Sequence, residues 1–176
     1  LYAGTLDGIF KTEDGGENWF KIGDGTDLLM NMQNNSHLYA RDENGIYETT
    51  DQGNNWATVY APKKNCPDEI HSWAIHPADG DMLFIGGGEM CAGVYQSSDG
   101  GGSWKLIGME DKPNIDNLAI GLDEQGNFSV YAQFISPILA EERTGLYVSH
   151  DGGANWSRTY NRGCTVLSVD LDKPSE

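Results

Sequence analysis

Large apolar residues recur at every second position in short runs along this chain, and the runs themselves recur. Gly8-Ile9-Phe10-Lys11-Thr12, Gly45-Ile46-Tyr47-Glu48-Thr49, Gly93-Val94-Tyr95-Gln96-Ser97 and Gly145-Leu146-Tyr147-Val148-Ser149 align with one another. Upstream of them lie Leu1-Tyr2-Ala3-Gly4, Leu38-Tyr39-Ala40-Arg41, Leu83-Phe84-Ile85-Gly86 and Val130-Tyr131-Ala132-Gln133. Further upstream a third set aligns: Met30-Asn31-Met32, Trp73-Ala74-Ile75, Leu118-Ala119-Ile120 and Leu167-Ser168-Val169. A period of two over so few residues is that of a half-buried strand, and the Gly, Asn and Asp residues between the runs are turn formers.

Each copy of the unit ends on one motif, [Ser/Thr]-x-Asp-x-Gly-x-x-Trp. It spans Thr12–Trp19, Thr49–Trp56, Ser97–Trp104 and Ser149–Trp156. An Asp in a turn accepts hydrogen bonds from nearby backbone N–H groups and locks it. The Gly two residues on takes φ > 0 without a Cβ clash. The Trp then leads a fourth strand, offering a large apolar face and one N–H donor. The motif positions are Asp14, Gly16 and Trp19; Asp51, Gly53 and Trp56; Asp99, Gly101 and Trp104; Asp151, Gly153 and Trp156. Their expected role is structural, because a carboxylate filled with backbone N–H bonds is a poor acid or base.

The repeat is therefore four short strands, a to d, with the motif turn between c and d. Successive motif Trp residues lie 37, 48 and 52 residues apart, the spacing of β-propeller blades. The expected fold is all-β: a β-propeller of four-stranded antiparallel blades, about four of them present. The divisions fall at 1–23 for a partial first blade, 24–61, 62–108 and 109–161, with 162–176 as the first strand of a next blade. The chain enters at strand b (Leu1–Thr5) and leaves after strand a (Thr165–Leu171). Either the two ends clasp one shared blade, or the array belongs to a larger ring of six to eight blades whose other blades lie outside this segment. The larger ring is the expectation; a bare fragment of it would leave unpaired strand edges.

Net charge is −16, from 27 acidic and 11 basic residues. Such a chain repels phosphate backbones and anionic lipid surfaces, so nucleic acid is not an expected partner. No apolar run approaches the ~20 residues of a membrane helix, and no membrane insertion is expected. Leu1 reads as an internal start, and the absence of a leader there says nothing about export.

The four motifs resemble those of the Asp-box, or bacterial neuraminidase repeat, family, and the resemblance runs through nearly the whole chain. The family includes sialidases, xyloglucan-cleaving glycoside hydrolases, sortilin-type receptors and photosystem II assembly-factor propellers. The resemblance implies that the boxes sit at the blade periphery, opposite the ligand face. Ligands would then meet the b–c loops (Leu6-Asp7, Asp42–Asn44, Gly87–Ala92, Ser136–Thr144) and the d–a loops (Gly23–Asp27, Ala61–Glu69, Gly108–Asn114, Asn161–Gly163).

Sialidase chemistry needs convergent arginines for a substrate carboxylate. Arg41, Arg143 and Arg162 would fall on the loop face and are the ligand-binding candidates, although no Arg-Ile-Pro setting and no Tyr–Glu pair accompanies them. A neutral-sugar hydrolase needs two carboxyls across the scissile bond. Asp68 or Glu69 with Glu89, flanking the third blade, are the catalytic candidates, against a background of solvated acidic surface. Cys66 and Cys91 flank the same blade on one face. A disulfide between them would imply an oxidising compartment, and free thiols are the alternative; Cys164 has no evident partner. Trp73 reads as packing. Asp24–Asp27 and Asp79–Asp81 lack the ligand count of a calcium loop, the four histidines fall on different elements, and no metal or cofactor is expected. The reading is a binding or scaffold module, secreted or in the cell envelope, presenting its loop face to a protein or glycan. Part of a glycoside hydrolase is the alternative.

Overall fold

The computed structural model describes residues 1–60, 70–88, 91–112, 114–135, 144–162 and 167–169. Fifteen strands lie among them, arranged as four antiparallel sheets in chain order. The first is β1 (Tyr2–Thr5), β2 (Gly8–Lys11) and β3 (Phe20–Gly23). The second is β4 (Asp27–Met30), β5 (Leu38–Asp42), β6 (Gly45–Thr49) and β7 (Ala57–Tyr60). The third is β8 (Ile70–His76), β9 (Asp79–Gly87), β10 (Val94–Ser97) and β11 (Lys105–Gly108). The fourth is β12 (Ile115–Leu122), β13 (Phe128–Phe134), β14 (Gly145–Ser149) and β15 (Ser157–Tyr160). These are propeller blades: every sheet is a meander, and β8 and β12, the first strands of adjacent sheets, lie side by side.

Tight turns fix the hairpins. Between β5 and β6 the Asp42 carboxylate accepts from the backbone N–H groups of Asn44 and Gly45, at 2.7 and 3.1 Å. Between β1 and β2 the Thr5 hydroxyl accepts from Asp7 N–H. A register shift then falls at one place in all four blades, at Ile9/Phe10, Ile46/Tyr47, Val94/Tyr95 and Leu146/Tyr147. A bulge there adds twist to the outermost pair of strands.

The register corrects one alignment. Met30 pairs with Leu38 as Ile75 pairs with Leu83, so Met30 is the counterpart of Ile75 and not of Trp73. The inner strand of the second blade ends at Met30 because Asn31 turns the chain. Its side-chain oxygen accepts from Gln33 N–H and its carbonyl from Asn34 N–H. The slip of two residues leaves the inward and outward faces unchanged. The strand expected over Thr165–Leu171 is also not seen where it is described: Leu167–Val169 form no ladder. Val169 nevertheless lies against Gly121 of β12.

The core lies between sheets. One cluster joins Phe84 and Val94 of the third blade to Leu118, Ile120, Val130 and Phe134 of the fourth. A second joins Tyr39 and Ile46 to Trp73, Leu83 and Ile85.

The boxes are near-identical clasps. In the fourth, the Ser149 hydroxyl donates to Asp151 Oδ1 at 2.8 Å and accepts from Gly153 N–H at 2.8 Å. Asp151 in turn accepts from the backbone and side-chain N–H groups of Asn155, at 2.8 and 2.7 Å. The first two boxes repeat this with Thr12, Asp14 and Asn18 and with Thr49, Asp51 and Asn55. In the third, Ser103 supplies both donors to Asp99. Asp123 makes a similar clasp with Gln125 and Asn127 in the β12–β13 turn, without a Trp.

Each later box seats its Trp on the blade before it. Trp56 Nε1 donates to the Ile22 carbonyl of β3 at 2.7 Å. Trp156 Nε1 donates to the Ile107 carbonyl of β11 at 3.1 Å. Trp104 meets the Tyr60 ring of β7 edge-on at 5.7 Å.

Two predictions follow from the clasp. Ser149→Ala leaves Gly153 N–H buried without its acceptor and should cost about 1–3 kcal/mol, whereas Trp56→Phe, losing one hydrogen bond, should cost about 0.5–1.5 kcal/mol; urea unfolding measures both. The second concerns acid. Asn155 side-chain and backbone N–H groups, with the Ser149 hydroxyl, lower the Asp151 carboxyl to about 2. Asp14 is lowered chiefly by the backbone N–H of Asn18, Asp51 by the Asn55 side chain and Asp99 by Ser103. A carboxyl lowered by folding stabilises fully above its unfolded value of about 3.9, and that contribution is lost as pH falls through the folded value. Thermal melts should therefore be steady above about pH 5 and fall steeply between roughly pH 4 and 2. Asp151→Asn should make that acid limb shallower.

Candidate functional site

The b–c and d–a loops open on the same face. Between the first two blades they flank a shallow, open groove of about 660 Å³, lined by Leu6, Asp7, Lys21, Asp24, Thr26 and Glu43 among others. Two-residue turns place the Leu6-Asp7 and Glu43-Asn44 rims, and Leu6 is 94% exposed at the mouth. Several of the carboxylates here have partners. Asp24 pairs with Lys21 Nζ at 2.8 Å. Asp42, at the groove wall, is held by its turn and accepts from the Tyr47 hydroxyl at 3.2 Å. Asp7 and Glu43 make no ion pair among the described residues. No group of three or more His, Cys, Asp or Glu residues is placed to hold a metal ion among the described residues.

Further round the same face a polar knot joins the second and third blades. Arg41 Nε donates to Asp27 Oδ2 at 3.2 Å, and Arg41 Nη1 donates to the Ile70 carbonyl. Trp73 Nε1 donates to the same Asp27 oxygen at 2.7 Å, and the guanidinium lies 5.6 Å from the Trp73 ring centre. Arg41 is thus engaged between blades, with its fork shared by a carboxylate and a backbone carbonyl. Trp73 packs in the core and adds a hydrogen bond to it.

At the entrance of the third and fourth blades, His71 on β8 faces Asp116 on β12, with Nδ1 and Oδ1 3.9 Å apart. Ile135 N–H donates to the other Asp116 oxygen at 3.2 Å. Burial holds the Asp116 carboxyl above the usual carboxylate range, against the lowering effects of Ile135 N–H and His71. A carboxyl whose proton is held more tightly than usual is one of the groups from which a general acid can be built. Asp116 was not singled out from the sequence. The signal lay in its place: it follows a d–a loop as the second residue of an inner strand, where side chains face the neighbouring blade's entrance.

The remaining expected site residues divide as follows. Asp68, Glu69, Glu89, Arg143, Cys66 and Cys164 lie outside the described residues. Arg162 is exposed just beyond β15. Cys91 is disulfide-bonded, and its partner lies outside the described residues.

Residues 7–116 match the Sortilin-Vps10 family, described as sortilin, neurotensin receptor 3, and residues 147–158 match the BNR/Asp-box repeat. No curated protein matches the chain in sequence. Among solved structures, the GH74 enzyme of Niastella koreensis is similar at 18% identity and a TM-score of 0.65, over 91% of this chain and 28% of that one. An ancestral GH74 enzyme is similar at 22% identity and 0.59, over 89% of this chain and 22% of that one. YCF48 bound to D1 peptide is similar at 15% identity and 0.54, over 90% of this chain and 50% of that one. The chain thus spans about a quarter of the GH74 enzymes and half of YCF48, and likeness at these identities speaks for the fold alone. Four clasped blades together with a family match over most of their length lead to one assignment: this chain belongs to the Sortilin-Vps10 family of Asp-box propellers.

Proposed function

We propose that the chain is a binding module whose b–c and d–a loop face holds a protein or glycan partner. The observation that carries this reading is the groove between the first two blades. It is a built recess with an exposed apolar rim, its Asp24 and Asp42 are held by Lys21 and by turn N–H groups, and its Asp7 and Glu43 remain for a ligand. A recess with unpaired carboxylates and an apolar rim suits recognition of a ligand. The relatives support both partner classes. The family description names a receptor, YCF48 is held with a peptide, and one similar structure is a xyloglucanase. The net charge of −16 favours neutral or cationic ligands over anionic ones. The same reading puts the protein outside the cell or in the envelope, which the Cys91 disulfide supports.

The test is titration of the chain with lysine-rich peptides and with neutral xyloglucan oligosaccharides, followed by fluorescence. Asp7→Lys and Glu43→Lys together should weaken binding at least about tenfold, or 1.4 kcal/mol. Arg41→Lys, which keeps the charge but not the fork, should lower stability and leave affinity unchanged. Binding indifferent to the groove variants would overturn the reading.

One observation favours the hydrolase alternative: the raised Asp116 carboxyl, suited to a general acid. Under that reading, a panel of chromogenic glycosides is turned over by the chain, and Asp116→Asn loses about 10²–10⁴-fold in rate while its thermal melt stays intact. Absence of turnover by the unaltered chain would dispose of it.

A further inference from the structure

Three triplets in the chain read Asn-x-Ser with no Pro between: Asn34-Asn35-Ser36, Asn127-Phe128-Ser129 and Asn155-Trp156-Ser157. Such a triplet is the acceptor pattern for an asparagine-linked glycan, a bulky polar group that needs an open surface. The fold treats the three differently. Asn155 is a box residue. Its Nδ2 donates to Asp151 Oδ2 at 2.7 Å, and Ser157 begins β15, paired with Val148. Asn127 closes the β12–β13 turn in the same way. Its Nδ2 donates to Asp123 Oδ2 at 2.8 Å, Ser129 pairs with Gly121, and the Ser129 hydroxyl lies 2.7 Å from His150 Nδ1. In both, the nitrogen that would take the sugar is held against a carboxylate, and the serine is fixed in a ladder.

Asn34 is the opposite case. It lies in the turn between β4 and β5, exposed, with Asn35 exposed beside it. Backbone bonds close the turn, from Asn34 N–H to the Asn31 carbonyl at 3.1 Å and from His37 N–H to the Asn34 carbonyl at 2.9 Å. The Asn34 side-chain oxygen accepts from Ser36 N–H at 3.1 Å, an Asx-turn. That bond fixes which end of the carboxamide faces the backbone. The oxygen points in and Nδ2 points out, with no acceptor on it among the described residues. The Ser36 hydroxyl accepts only a long bond from Gln52 Nε2, at 3.4 Å. The turn sits within the array, with blades on both sides of it. Gln33 Nε2 donates to the Pro77 carbonyl of the third blade at 3.3 Å, and the Tyr2 hydroxyl of the first blade donates to the Asn35 carbonyl at 3.5 Å. Gln52 N–H of the second box donates to the Ser36 carbonyl at 3.0 Å, so the turn lies on the box side of its blade, away from the b–c and d–a loops.

We propose that Asn34 is a glycan attachment site of the folded protein and that Asn127 and Asn155 are not. The donor is a lipid-linked oligosaccharide diphosphate, brought by its transferase. Asn34 Nδ2 attacks the anomeric carbon of the first sugar. The N–C bond forms, the bond from that carbon to the diphosphate oxygen breaks, and the lipid diphosphate leaves with the electron pair. One Nδ2 proton passes to a base of the transferase. The side-chain oxygen keeps its bond from Ser36 N–H, so the turn survives the change. The glycan stands on the box face and leaves the groove open. It shares with the binding reading only the route through an oxidising compartment, which the Cys91 disulfide fits.

The test is expression of the chain through the secretory route of a eukaryotic cell line, with circular dichroism as the check on folding. The folded protein is stripped of glycan enzymatically in heavy-oxygen water, which turns each occupied Asn into a labelled Asp, and its peptides are weighed. Label at Asn34 alone is the expected result, with one glycan's mass lost from the intact chain on release. Ser36→Ala should abolish the glycan and Ser36→Thr should restore it, both keeping the thermal melt of the stripped chain. A folded chain bare at Asn34 overturns the proposal. So does label at Asn127 or Asn155 in the folded protein, or a glycan that survives Ser36→Ala. The readout involves no ligand, so failure of the groove reading leaves it untouched. Peptide and oligosaccharide titrations of the glycosylated and stripped chains should agree, and a loss of affinity on glycosylation would contradict the placement of the glycan away from the groove.

Discussion

The fold depends on a three-point hydrogen-bond exchange within eight residues. A buried hydroxyl donates a hydrogen bond to a carboxylate and accepts one from the Gly N–H; the carboxylate closes the circuit on a second turn of backbone. Neither element would suffice alone. The hydroxyl needs an acceptor for its proton once it is shut away from water, and the carboxylate needs donors that water would otherwise supply. Together they hold a turn rigid enough to aim an indole at a neighbour's backbone. Every larger feature inherits that aim.

Because the indole lands on the preceding sheet, the blades are bound in a directional series and share their cores. Phe84 and Val94 are buried only because the fourth blade covers them, and Tyr39 and Ile46 only because the third does. Such arrays draw stability from nearest-neighbour contacts, and one blade alone has no closed interior. The polar knot of Asp27, Arg41 and Trp73 is the same arrangement carried to the opposite face, where a charged fork takes the place of the indole.

How much of this was legible in the sequence varies with the range of the interaction. The boxes were fully legible, since hydroxyl, carboxylate and Gly lie within five residues and speak through local hydrogen bonds. The four-stranded unit was legible because period-two runs recur. Met30 was misaligned by two residues because period two cannot distinguish a slip of two, and only the turn at Asn31 settles it. The inter-blade contacts of Arg41 were not legible because its partners, Asp27 and Ile70, lie on a different strand and in a different blade. Asp116 carried no motif, since burial raises its carboxyl, and only its place after a d–a loop marked it. The Asp123 clasp was overlooked because it lacks the Trp that made the others stand out.

The glycines at 23 and 108 lend the architecture an unusual map of vulnerability. Each sits at the end of one blade's outermost strand, yet the space a methyl group there would invade belongs to an indole of the following blade. Injury at such a site falls on a domain segment tens of residues downstream, while the strand bearing the change keeps its own pairing. Sequence neighbourhood and structural victim are separated, as they are in a row of roof tiles where a warped edge lifts the tile that overlaps it.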